Sequence, residues 1–142
     1  MRIVSGKYRG KILKEFDFIT TKPTTDRVKE SIFNLIQFDV ANACVLDLFA
    51  GTGALGIEAI SRGAKHVIFV DNNSQAIKLI NENLKGIEGE YYVDQADYKT
   101  FLNKIQIKFD IVLLDPPYKT DLLVDYKQGL LRYFSKNTQL VK

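Results

Sequence analysis

From residue 45 onward the apolar positions fall into two signatures, short runs and stretches spaced by three and four residues. Val45–Phe49, His66–Val70 and Phe109–Leu114 read as strands, the last of the kind expected when both faces of a sheet are covered; Tyr91–Val93 is a weaker one. Between them, Ala54–Arg62 reads as a helix ended by Gly63. A second helix begins at Ser74 as its cap, carries Ile77, Ile80 and Leu84 on its inner face, and stops at Gly86. A short helix runs through Phe101, Leu102 and Ile105. An amphipathic helix over Leu122–Phe134 and a fifth strand beginning at Gln139–Lys142 complete the pattern. Such alternation predicts an α/β, doubly wound parallel sheet with helices on both faces.

Upstream the pattern differs. Arg2–Ser5 and Lys11–Phe16 predict two short strands around a Gly6–Gly10 turn, a hairpin arm ahead of the main domain. A loop holding Pro23 leads to a helix starting near Thr24–Asp26. Thr24 or Thr25 can cap it, Asp26 suits its positive end, and Val28, Ile32, Leu35 and Ile36 form its predicted buried stripe. The chain thus divides into an arm, residues 1–22, and an α/β domain, residues 23–142.

Composition narrows the chemistry. The apolar share of 46% and charged share of 26% are those of an ordinary globular domain, and 142 residues suffice for one core. Cys44 and His66 are the only cysteine and histidine, which disfavours a disulfide framework, a Cys/His metal cluster or a Cys–His or Ser–His–Asp nucleophilic site. No apolar run approaches membrane-spanning length and the opening MRIVSGKYRG lacks a signal-peptide core, so a cytoplasmic location is expected. Charge is uneven: the net value is +3, yet residues 1–14 hold Arg2, Lys7, Arg9, Lys11 and Lys14 and no acid. Such an arm is either a polyanion-binding surface or a solvated strand pair; charge alone weighs the two equally.

The densest chemistry lies in Val45–Gly56, VLDLFAGTGALG. A strand ends on an acid, passes through a glycine turn and enters a helix whose N–H groups point back toward a ligand. Gly51, Gly53 and Gly56 spell GxGxxG, and Asp71 follows Gly51 by about twenty residues, the dinucleotide fingerprint. Asp47, just before the turn, argues against it, because a pyrophosphate would meet a negative charge there. A cationic ligand would welcome both acids. S-adenosylmethionine carries a sulfonium and an α-ammonium, and its ribose offers two hydroxyls to an acid.

Ligands of such sheets bind beyond the carboxyl ends of the strands. Asp47, Asp71, Asp97 and Asp115 fall there in series. Any one of them alone reads as a helix cap or a solvated loop residue, and Asp94 rivals Asp97. After the fourth strand comes Asp115–Tyr118, DPPY. Two prolines stiffen this exit and leave carbonyls unpaired. Asp115 and the Pro116 carbonyl can then accept hydrogen bonds from one NH2 group while Tyr118 offers a flat face to a base, a site for a planar exocyclic amine.

These motifs resemble motifs I and IV of the S-adenosylmethionine-dependent amino-methyltransferases. More narrowly, RIVSGKYRGKIL, KPTTDRVKESIFN, LDLFAGTGALGIEAISRGA and LLDPPY resemble, in the same order, the bacterial small-subunit ribosomal RNA guanine-N2 methyltransferases of the RsmD type. The resemblance implies a Rossmann-like class I methyltransferase fold with S-adenosylmethionine as cofactor. It places Asp47, Gly51 and Gly53 around the methionine part, Asp71 at the ribose hydroxyls and Asp97 near the adenine amine, and counts Phe49 and Thr25 among the cofactor-binding residues. Asp115, Pro116 and Tyr118 match the catalytic motif that holds the target base. Thr24, Thr25 and Arg27 match a segment beside the cofactor and RNA, though a capped helix with a surface arginine explains them nearly as well. Arg2, Lys7, Arg9, Lys11 and Arg27 become the RNA-binding set, and ribosomal RNA, free or within an assembled small-subunit particle, becomes the partner.

The family continues into a completed fifth strand and a final antiparallel pair. The chain is therefore expected to be incomplete at its C-terminus, with Phe109–Leu114 at or near an open sheet edge through which it self-associates. Three other functions fit parts of the pattern. A DNA adenine-N6 methyltransferase shares DPPY but needs a target-reading domain. A nicotinamide dehydrogenase leaves DPPY and Asp47 idle. A non-catalytic RNA-binding fragment needs only the arm.

Overall fold

The computed structural model describes residues 1–16 and 26–114 and the main chain of 134–141. Its elements in order are α1 (Asp26–Leu35), β1 (Cys44–Leu48), α2 (Ala54–Ser61), β2 (His66–Asp71), α3 (Ser74–Asn83), β3 (Tyr91–Gln95), α4 (Tyr98–Lys104), β4 (Phe109–Leu114) and β5 (Phe134–Val141). The strands form one sheet in the order β3-β2-β1-β4-β5, with every pairing parallel. The chain steps outward from β1 through β2 to β3 and then returns to β1's other side for β4. The order therefore reverses between β1 and β4, where open α/β sheets form their ligand crevice.

Each central strand buries both faces. Val45, Val67, Phe69, Ile111 and Leu113 pack with Phe33, Ile57, Ile60, Ile80 and Leu84 of α1, α2, α3 and their ends. Leu46, Leu48, Ile68, Val70, Val112 and Leu114 pack with Phe101 and Leu102 of α4 on the other side. Helices on both faces explain why these strands read as apolar runs rather than alternating ones. The expected Rossmann-like class I methyltransferase architecture is the one observed.

Several local expectations shift. The arm is antiparallel as expected, but its strands shrink to a single bridge, Arg2 with Ile12. The reason is competition: the Val4 and Ser5 N–H groups donate to Glu58 and that of Lys14 to Asn83, so side chains of the domain occupy ladder groups. In α1 the expected stripe is half right. Ile36 is buried and Ile32 packs against the core, but Val28 and Leu35 are 50% and 83% exposed. The inward face instead runs through Lys29 and Phe33, because a buried lysine with anionic partners occupies a position that periodicity assigns to an apolar residue. Asn73, not Ser74, caps α3, accepting the Gln75 N–H at 2.8 Å.

The fifth strand begins at Phe134 rather than Gln139, so Phe134 lies in β5 and not at the end of a helix; the rest of the expected Leu122–Phe134 helix lies outside the described residues. β4 is not an edge. It pairs with β1 on one side and with β5, through Val141, on the other, so it lies one strand in from the edge, which is β5.

Candidate functional site

β1 ends at Leu48, and the next residue, Phe49, has φ 63°, a left-handed conformation rare outside glycine. Strain of this kind, on the order of 1–3 kcal/mol, is held only where the surroundings over-determine it. Here the Phe49 ring lies 5.8 Å from that of Tyr98, and Ala50 N–H donates to the Val70 carbonyl of β2 at 3.0 Å. The turn continues through Gly51 (φ 58°) and Gly53 (φ 81°), which starts α2 with no side-chain cap.

Two carboxylates organise the turn. Asp47, 2% exposed on β1, accepts the Gly56 N–H of α2's first turn at 3.0 Å. Asp71, at the end of β2, accepts the Gly51 N–H at 2.9 Å on one oxygen and the Asn73 N–H at 2.9 Å on the other. The positive helix end thus already faces a negative charge supplied by the chain itself. A pyrophosphate would need these same amides and would meet both carboxylates, so the GxGxxG string here does not make a dinucleotide cradle. A cationic ligand with hydroxyls for Asp71 fits the donor set. A Cβ on Gly51 would meet nothing within 4 Å, so the turn opens at that point. A Cβ on Gly56 would sit 2.2 Å from the Phe69 ring, so this third glycine serves the packing of α2 on β2.

Asp97 caps α4, accepting the Thr100 N–H and hydroxyl, each at 2.9 Å. The Thr100 N–H chiefly holds its carboxyl below the ordinary range. Its rival Asp94 is buried and pairs with Lys104 at 2.7 Å, an interaction that raises the lysine. Asp94 therefore ties β3 to α4, and Asp97 is the acid left on the rim. Leu114, the residue before Asp115, is paired with Leu48 beside the glycine turn. Asp115, Pro116 and Tyr118, with Thr24 and Thr25, lie outside the described residues.

Of the basic set, Arg2, Lys7, Arg9 and Arg27 are exposed. Lys11 is partly buried, its ammonium donating to the Lys85 carbonyl. Sequence reasoning missed the polar residues beneath the arm: Lys29, Glu58 and Asn83, all buried. Asn83 accepts from Lys14 N–H and donates to the Lys14 carbonyl (3.1 Å) and to Thr52 of the glycine turn (2.9 Å). A glutamate inside ALGIEAIS, an otherwise apolar helix, was the available signal. No helix among the described residues is long and apolar enough to cross a membrane.

Comparison with known proteins agrees with this geometry. The family described as "Conserved hypothetical protein 95" matches residues 1–141. The "Putative rRNA methyltransferase YlbH" of Bacillus subtilis is 45% identical over 130 residues, covering 87% of this chain and 70% of that protein. "Ribosomal RNA small subunit methyltransferase D" of Escherichia coli K12 is 36% identical over 124 residues, 87% of this chain; the match spans 63% of that protein's length. The solved structure of "Putative methyltransferase yhhF" from Escherichia coli superposes with a TM-score of 0.81 at 31% identity, covering 100% of this chain and 75% of that one. The chain belongs to the RsmD-type family of rRNA methyltransferases.

Proposed function

We propose that this protein transfers a methyl group from S-adenosylmethionine to the exocyclic N2 amine of a guanine in small-subunit ribosomal RNA. The observation that carries the cofactor half is the occupation of the Gly51 and Gly56 amides by Asp71 and Asp47, which suits a cation and repels a pyrophosphate. The names of the relatives and the DPPY segment support the substrate half.

S-adenosylmethionine, when bound, supplies an electrophilic methyl group on a sulfonium. Asp71 would hold the ribose hydroxyls, Asp97 would take the adenine amine, and Asp47, Gly51 and Gly53 would enclose the methionine end, with Phe49 and Thr25 also beside the cofactor. The guanine N2 lone pair is conjugated with the ring and is a poor nucleophile. Asp115 and the Pro116 carbonyl accept its two hydrogens, favouring a more tetrahedral nitrogen with an available lone pair, while Tyr118 stacks on the base. Alignment and a fixed electrostatic surround account for the acceleration. The amine would exchange one N–H bond for an N–C bond, the S–CH3 bond breaking with its electron pair left on the sulfur of neutral S-adenosylhomocysteine and the proton passing to water. A base must leave its stack to reach such a pocket, which favours an accessible loop nucleotide, and the basic arm holds the flanking phosphates.

The test is label transfer from methyl-labelled S-adenosylmethionine to naked small-subunit RNA, to assembled particles and to DNA, followed by nucleoside digestion. Label in N2-methylguanosine is expected, and Asp115→Ala should reduce its rate by about a hundredfold or more. Label in N6-methyladenine of DNA, or an Asp115→Ala variant as fast as the parent, would refute the assignment.

A further inference from the structure

We infer that Glu58 is a positioning residue for RNA: it fixes the main chain of the basic arm against the helix that begins at the glycine turn. The inference rests on the reading of the arm as a phosphate-binding surface. Glu58 is fully buried, yet all its capacity is spent on polar partners. Oε1 accepts the Val4 N–H at 2.9 Å and lies 3.2 Å from Lys29 Nζ. Oε2 accepts the Ser5 N–H at 3.0 Å and Arg62 Nε at 2.9 Å. Lys29, equally buried, also donates to the Arg2 carbonyl and lies 3.8 Å from Asp26, which accepts the Arg2 N–H at 2.9 Å. One turn further along α2, Ser61 Oγ donates to the Ser5 carbonyl at 2.7 Å and accepts the Tyr8 N–H at 2.9 Å.

Every one of these ties to the arm is made to its main chain. The arm is therefore registered on α1 and α2 without using the side chains of Arg2, Lys7 or Arg9, which stay exposed. The ion pair as such adds little to stability, since well-packed apolar residues often replace a buried pair without loss. Apolar residues at 29 and 58 could not, however, receive the Val4 and Ser5 N–H groups or hold Arg2 by its carbonyl. What the cluster uniquely supplies is a fixed direction for the arm relative to the turn where the reacting atoms meet. Distance and angle between phosphate contacts and methyl donor are then set by the fold.

The test uses the full chain in steady-state methylation of small-subunit RNA, with S-adenosylhomocysteine affinity measured by calorimetry. Glu58→Gln is expected to raise the RNA KM about tenfold, to change kcat by less than about threefold, and to leave S-adenosylhomocysteine affinity within about twofold. A double-mutant cycle separates positioning from general loosening. Arg9→Ala should weaken RNA binding about fivefold in the parent but less than about twofold in the Glu58→Gln background. Ser61→Ala removes two ties without touching a charge, and a smaller KM rise, about threefold, is expected from it. An unchanged RNA KM in either variant, or strict additivity with Arg9→Ala, overturns the inference alone. No RNA methylation by the parent, or no effect of Arg9→Ala in it, overturns the functional reading and this inference with it.

Discussion

Gly51 and Gly56 belong to the same motif and answer to different demands. The missing Cβ of Gly56 leaves room for the Phe69 ring, which it would otherwise meet at 2.2 Å. Gly56→Ala should therefore lower stability by roughly 1–3 kcal/mol, read as a drop in thermal midpoint. Around Gly51 there is space, but φ is 58°. Gly51→Ala should cost about 1–2 kcal/mol from backbone strain, and its larger effect should be a loss of S-adenosylhomocysteine affinity measured by calorimetry, because its methyl projects into the open side of the turn. Equal affinity in the two variants would contradict this division. Asp97 adds a pH term. The Thr100 N–H, then its hydroxyl, hold the Asp97 carboxyl below its ordinary 3.8. A depressed folded value means that the cap's contribution is complete above 3.8 and is lost as pH falls through the lower folded value. An acid titration followed at the Thr100 amide by NMR should show that step, and Asp97→Asn should abolish it.

Among the elements, α1 shows best what sequence could and could not disclose. Its helical period is visible, but which side turns inward depends on Lys29, whose ammonium is neutralised by Glu58 and whose position on the buried face no hydrophobicity pattern registers. Phe33→Ala should cost roughly 3–5 kcal/mol, as a buried aromatic does, whereas Leu35→Lys should stay within about 0.5 kcal/mol in denaturant unfolding. The expected stripe through Val28 and Leu35 would have ranked them the other way. The strands and the glycine turn were legible because their signals are local: short apolar runs with an acid at or near the exit, and a cluster of glycines after the first. The partners of the arm were not, since Glu58 and Asn83 lie more than fifty residues from the amides they receive. Asp47 and Asp71 were foreseen only in relation to a ligand, as charges and as an acceptor of ribose hydroxyls; that each is committed to a backbone amide at the turn or the helix start emerged from the fold.

At the scale of the molecule, a net charge of +3 conceals a cationic arm laid across an almost balanced body. If that arm meets phosphates, RNA affinity should fall steeply with salt, and Arg9→Ala should reduce the slope of log K against log salt by roughly 0.7, the value for one single-strand phosphate contact. Filter binding over a salt series measures it; an unchanged slope would remove Arg9 from the interface.

The strand order carries a consequence for biogenesis. β1 gains its β2 neighbour soon after synthesis, but its opposite flank waits for β4, which is made only after α2, β2, α3, β3 and α4. During that interval a strand that ends up almost wholly buried has unsatisfied amides and carbonyls on one flank, and distant parallel pairings of this sort close slowly. Translation is thus the period in which misassembly threatens this protein most, and slowing the ribosome between residues 72 and 108 should increase its demand for chaperones.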